Sequence, residues 1–230
     1  MSNNPRKEIL KRIKEGLYHS RNAVKEEPLL VRQKTIGFPH DLQQESRILI
    51  DQFIEEITRV SGNACVVEGE DGIRDFIIGL IEERGSGSFA IWESDLLTRL
   101  RLREFLEGRG LKFTSPNRKE EMARADIGIT EADFAIADTG TLVLIANQKQ
   151  PRSVSLIPPI HIAILDSQKI VRNIHDLFAM LANSIADMES INELTSCITF
   201  ITGPSRTADI ELNLTLGVHG PKGLFVLIYP

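Results

Sequence analysis

ACVVEGEDGIRDFIIGLIEERGSGSFAIWESDLLTRLRLREFLEGRGLKF, residues 64–113, decides the fold. Two short apolar runs, ACVV (64–67) and SFAIW (88–92), read as strands. Between them Ile73, Phe76, Ile77, Leu80 and Ile81 recur at helical spacing. A second helix is expected from Asp95, with Leu96, Leu100 and Leu106 on its inner side and Gly108 and Gly110 ending it. LKF (111–113) follows as another strand and 117–125 as a short helix. Continuous apolar strands alternating with amphipathic helices mark an α/β architecture with a mostly parallel sheet covered on both faces.

Upstream, Leu42, Leu49, Phe53, Ile54 and Ile57 form a helical stripe that reaches Gly62, and Asp41 with Gln44 resembles a capping box. Downstream the chain becomes strand-rich: DIGIT (126–130), FAIA (134–137), TLVLI (141–145), IHIAIL (160–165), SCITFI (196–201), LNLTLGV (212–218) and LFVLIY (224–229). One helix, about 168–188, interrupts them with Ile170, Ile174, Leu177, Leu181 and Ile185. Short strands with tight turns predict an antiparallel or mixed patch beside the parallel sheet. Before all of this, residues 1–39 read as a basic helical arm and linker, and residues 40–230 as one three-layer α/β/α domain. Asn4 caps, Pro5 opens, and Ile9, Leu10, Ile13 and Leu17 share a face.

The 230 residues are 42% hydrophobic and 26% charged, which excludes a disordered chain. No apolar run reaches the roughly 18–20 residues of a membrane span. The first residues lack the apolar core of a secretory signal, so a cytoplasmic protein is expected. The net charge of −5 argues against a general nucleic-acid binder. That charge is uneven. Residues 1–35 hold nine Lys/Arg against four Glu, a local +5, leaving −10 on the body. Such an arm suits an acidic partner or a neighbouring protomer in a homo-oligomer. Cys65 and Cys197 stand far apart in apolar runs and read as core thiols, so no metal site is expected.

Three polar segments interrupt the strands. In Thr130–Glu131–Ala132–Asp133 and Asp138–Thr139–Gly140–Thr141, carboxylates, hydroxyls and a glycine can hold a ligand, and they equally suit an Asx turn. Asp-Thr-Gly-Thr resembles an aspartic-protease loop, but that chemistry needs two carboxylates sharing a proton and an almost all-β fold. In the second segment, Gln148–Lys149–Gln150–Pro151–Arg152–Ser153, Arg152 can grip a carboxylate or phosphate in bidentate fashion; a surface ion pair is the plainer reading. His161, at the head of an apolar run, reads as a satisfied buried histidine. The third segment, Thr202–Gly203–Pro204–Ser205–Arg206–Thr207–Ala208–Asp209, has the make-up of an anion-binding loop. Gly203 lets backbone amides approach, Ser205 and Thr207 supply hydroxyls, and Arg206 supplies charge. A helical turn starting at Thr207 would add its dipole. A capped turn between strands fits the same residues. Gly217–Val218–His219–Gly220–Pro221 is a tight turn whose His219 can serve as acid or base. The P-loop, nucleophile-elbow and dinucleotide-binding patterns are absent.

DIGITEADFAIADTGTLVL (126–144), RSVSLIPPIHIAIL (152–165) and ITGPSRTADIELNLTLGVHGPKGLFVLI (201–228) together resemble the LUD domain of the lactate-utilisation protein C family, over roughly residues 40–230. The resemblance implies the α/β/α fold shared with ribose-5-phosphate isomerase, coenzyme A transferases and formyltetrahydrofolate cyclo-ligase. It implies a part in bacterial oxidation of L-lactate to pyruvate beside partner proteins that carry iron–sulphur clusters, with no cofactor in this chain. The sister family appends ferredoxin-type cysteine motifs that are missing here. The motif positions carried over are Asp138, Thr139, Gly140 and Thr141; Arg152; Gly203, Pro204, Ser205, Arg206, Thr207 and Asp209; and His219, Gly220 and Pro221. The expected roles are Arg206 and Arg152 as clamps for a small organic anion, the hydroxyls as donors, and Asp138 with His219 as an acid/base pair. Coenzyme A transferases use a glutamate nucleophile, and Glu131 and Glu211 lie nearest by position. The alternative is therefore an independent transferase or ligase acting on a coenzyme A thioester, phosphosugar or folate. A third reading is a scaffold organised by the arm.

Overall fold

The computed structural model describes residues 44–186, 196–208 and 214–230; the basic arm and its linker, the Asp41 cap, Asp209 and Glu211 lie outside the described residues. The first described helix, α1 (Gln44–Arg59), buries Ile50, Phe53 and Ile57. It leads into β1 (Asn63–Val66), α2 (Gly69–Arg84) and β2 (Ser88–Ile91). The helix expected from Asp95 is two helices, α3 (Asp95–Arg99) and α4 (Leu102–Gly108). Arg101, in the left-handed region at φ 49°, breaks them apart. Ser94 caps α3 by accepting the Leu97 amide. β3 (Lys112–Phe113), α5 (Lys119–Met122) and β4 (Ile127–Ala132) complete this half.

Next come β5 (Phe134–Ile136), a 3₁₀ turn over Ala137–Thr139, β6 (Thr141–Ala146), α6 (Ser153–Leu156) and β7 (Ile160–Asp166). The helix expected over 168–188 is shorter. Ser167–Lys169 is a 3₁₀ turn, and Ile170 belongs to a strand, β8 (Ile170–Val171), that pairs with β5. Asn173 sets the true start of α7 (Ile174–Ala186), its Oδ1 accepting the amides of His175 and Asp176. The chain ends with β9 (Cys197–Ile201), β10 (Arg206–Ala208), β11 (Leu214–Leu216) and β12 (Gly223–Tyr229).

The main sheet has the order β1–β12–β7–β4–β2–β3, and every pairing is parallel. Its central strands β7 and β12 are buried almost end to end, as continuous apolar runs require when both faces are covered. Each such side chain contributes about 1.5–3 kcal/mol on leaving water. A second, mixed sheet of order β8–β5–β6–β9 stands beside it. One face, with Ala135, Leu142 and Leu144, joins the main core; the other, with Ile136 and Val143, packs on Leu177 and Leu181 of α7. Cys65 is half-buried against the main core, whereas Cys197 lies on edge strand β9, partly exposed, not deep in a core. Among the described residues no helix is long and apolar enough to cross a membrane.

Candidate functional site

The amino-terminal edge of the main sheet gathers three of the sequence segments. α1 ends there, running through Ser61 and Gly62 into β1, and the loop before β12 closes on the start of β7 when Lys222 N–H donates to the Pro159 carbonyl at 2.8 Å. Asp138–Thr141 turns against the last turn of α1. Gly140 sits at φ 58°, and a Cβ there would lie 2.3 Å from the Ile57 amide nitrogen. Gly203, at φ 90°, presses on the same place; its Cβ would lie 2.7 Å from the Val60 carbonyl oxygen. Both turns need glycine because a backbone passes where a side chain would stand.

Hydroxyls tie these turns together. Thr141 Oγ1 is 2.8 Å from Thr139 Oγ1 and 2.7 Å from Thr202 Oγ1. The Ser205 amide donates to the Pro221 carbonyl at 2.8 Å, and the Gly217 amide donates to the Ser205 carbonyl at 2.9 Å. Arg206 Nη2 donates to the Val60 carbonyl, one of those a helix leaves unpaired at its C-terminus. Asp138, Thr139, Arg206 and His219 are exposed on this surface, and Pro204 is buried beneath it. The helical turn considered at Thr207 is not there. Thr207 lies in β10, paired with Thr215, so no helix N-terminus starts there, and the helix end that meets the loop is the carbonyl end of α1 at Val60. Arg152 is not part of the gathering. It heads α6, exposed, on a different loop.

His161 is fully buried, as expected, but only one of its two ring nitrogens is satisfied among the described residues. Its Nε2 is 2.9 Å from Thr130 Oγ1, Nδ1 has no hydrogen-bond partner among the described residues, and burial pushes its pKa down to about 3.

At the opposite, carboxyl-terminal edge stand Glu131 and Asp133, from the first polar segment, together with Lys169 and Tyr229, which sequence reading did not single out. Lys169 Nζ meets Glu131 Oε1 at 2.7 Å, with the Glu131 side chain 17% exposed. Asp133 Oδ2 accepts the Ile145 amide at 2.6 Å. Burial pushes the Asp133 carboxyl up to about 6, against the pull of the Ile145 amide and Lys169. Tyr229, ending β12, is pushed up to about 12 by burial first and then by Asp166 and Glu131. The available signal was positional: these residues fall at or just beyond the carboxyl ends of parallel strands, where open α/β sheets place ligand groups.

Fold and site together define a three-layer α/β protein with an all-parallel main sheet, polar loops at both edges and a small sheet packed alongside. The LUD domain family profile matches residues 50–229. The chain belongs to the LUD domain family. It is similar to Lactate utilization protein C of Halalkalibacterium halodurans, 34% identical over 183 residues, 78% of each chain. The protein of that name in Anoxybacillus flavithermus is 31% identical, over 78% of this chain and 80% of the relative. That of Bacillus subtilis is 30% identical, over 81% and 71%. A crystal structure of a DUF162 family protein from Deinococcus radiodurans has the same fold, with a TM-score of 0.55 at 20% identity. It covers 80% of this chain and 98% of that one.

Proposed function

We propose that the chain is a cytoplasmic component of a bacterial lactate-utilisation system that oxidises L-lactate to pyruvate beside iron–sulphur partner proteins. The observation that carries this reading is the family match over nearly the whole described body, with relatives named for lactate utilisation. Lactate oxidation releases two electrons, and an iron–sulphur centre to receive them needs several thiolates. This chain has two cysteines. One, Cys65, is half-buried with its thiol pushed up to about 11, and the other stands on a different sheet. In this reading the redox centres belong to the partners.

The exposed amino-edge loops are the proposed seat of a small organic anion. Arg206 is held by one N–H on Val60 and keeps others for a carboxylate, with Ser205 and the Thr139–Thr141–Thr202 hydroxyls nearby. The test is affinity purification of the tagged protein from lactate-grown cells, with iron and inorganic sulphide measured in the eluate. Stoichiometric iron co-eluting with partner proteins is the expected result. A colourless, partner-free protein, or lactate-dependent turnover by the pure chain, overturns the reading.

One observation favours the independent transferase or ligase as a second reading. Glu131, shielded and held by Lys169, occupies the carboxyl edge where a nucleophilic carboxylate would be placed. A thermal shift with a coenzyme A thioester, lost in Glu131→Gln, is its signature.

A further inference from the structure

The main sheet changes winding direction between β4 and β2. From β2 the chain moves outward to its neighbour β3; from β4 it moves the other way, through the small sheet, to its neighbour β7. Loops leaving adjacent parallel strands in opposite directions part at their carboxyl ends and open a crevice there. A cleft of about 480 Å³ lies at the carboxyl end of β2. That is the size of a small-molecule site. Trp92, the residue after β2, forms part of its floor, with its amide on the Ile129 carbonyl of β4 and its indole Nε1 on the Pro151 carbonyl at 2.9 Å. Across from it the Arg103 guanidinium lies over the Phe113 ring, 3.8 Å from the centroid; its Nε pairs with Glu107 Oε2 at 3.6 Å, and the side chain, 50% exposed, keeps its two terminal nitrogens for a ligand. Lys149 stands exposed on the facing turn, and Glu93 and Glu104 complete the charged lining.

We infer that this cleft is a binding site for a planar heteroaromatic ring carrying a phosphate, of nucleoside monophosphate size. A guanidinium stacked on one aromatic face offers its other face to a second ring. Lys149 and Arg103 supply cations for the phosphate, while the Glu93 and Glu104 carboxylates accept hydrogen bonds from ring amino and sugar hydroxyl groups. None of these residues belongs to the loops at the opposite edge of the sheet, and the inference does not depend on the lactate reading.

Trp92 is the chain's one tryptophan, so its emission reports on the cleft alone. The full chain is titrated with AMP, adenosine and inorganic phosphate in separate arms, following Trp92 fluorescence and the melting temperature. AMP is expected to give a saturable change in emission and a rise in melting temperature. Lys149→Ala, at an exposed position that leaves the fold intact, weakens AMP binding about tenfold, and Arg103→Ala does the same. No response to millimolar AMP in either readout overturns the site. An equal response to phosphate alone overturns the ring platform, and equal binding of adenosine overturns the phosphate contact. Unchanged AMP affinity in both variants overturns the assignment of the two cations.

Discussion

Gly140 lies so close to Ile57 that a methyl group on it would sit 2.3 Å from the Ile57 amide nitrogen. The neighbour is helical backbone, which cannot rotate away, and φ at Gly140 is 58°. Gly140→Ala therefore combines left-handed strain with a clash against α1. It should cost about 3–5 kcal/mol, or prevent folding, as read by urea unfolding. Gly79→Ala provides the contrast. Gly79 lies inside α2 with nothing within 4 Å of a Cβ, so alanine there should add about 0.5–1 kcal/mol.

Gly140 also shows how far the sequence could be read. Asp-Thr-Gly-Thr suits both a ligand turn and a packed turn, and residue types cannot separate the two, because both use glycine for its φ. What makes this glycine indispensable is α1, some eighty positions earlier in the chain, and no local pattern reports that approach. The parallel sheet was legible because β7 and β12 are unbroken apolar runs. The start of α7 is masked because Ile170 fits the helical spacing of Ile174 and Leu177, although Asn173 offers a cap. The convergence of Thr202–Arg206 with Gly217–Pro221 follows from strand order, which spacing does not encode. Glu131, Asp133 and Lys169 meet for the same reason.

The Arg206–Val60 hydrogen bond ties β10 to the end of α1 and gives Arg206 two separable jobs. Arg206→Ala should lower stability by about 1 kcal/mol through the lost helix-end partner, and weaken binding of a small carboxylate by about 1.5–3 kcal/mol. Arg206→Lys should recover part of the charge but not the forked geometry. Calorimetric titration with lactate and pyruvate, beside urea unfolding of the same variants, separates the effects. Unchanged carboxylate affinity in Arg206→Ala would leave the residue with its structural role only.

His161 makes the fold sensitive to acid. Its folded pKa, about 3, lies below the ordinary 6.5, so the folded state disfavours the imidazolium. The stability at stake is fully present above pH 6.5 and is lost as pH falls toward 3. The shift corresponds to about 5 kcal/mol at most. His161→Gln keeps a partner for the Thr130 hydroxyl and does not titrate. Unfolding curves from pH 7 to 4 should fall less steeply for the variant than for the parent. Parallel curves would mean that His161 escapes protonation through another route.

Asp133 acts with the opposite sign. Its folded pKa, raised from 3.8 to about 6, means that the folded state binds the proton more tightly than the unfolded chain. The favourable contribution is complete below pH 3.8 and is lost as pH rises through 6, leaving a penalty of about 3 kcal/mol in neutral solution. Asp133→Asn keeps an oxygen for the Ile145 amide and removes the buried charge. The variant should be more stable than the parent at pH 8, by up to that amount, and the two should converge near pH 4. The same substitution deletes a titrating carboxyl beside Glu131 and Lys169. If the carboxyl edge carries proton-transfer chemistry, the Asp133→Asn variant gains stability and loses the limb of its pH–rate profile near 6. If it carries none, stability changes alone. Melting temperatures of both proteins across pH 4–8, with any partner-dependent lactate oxidation followed over the same range, decide between the two.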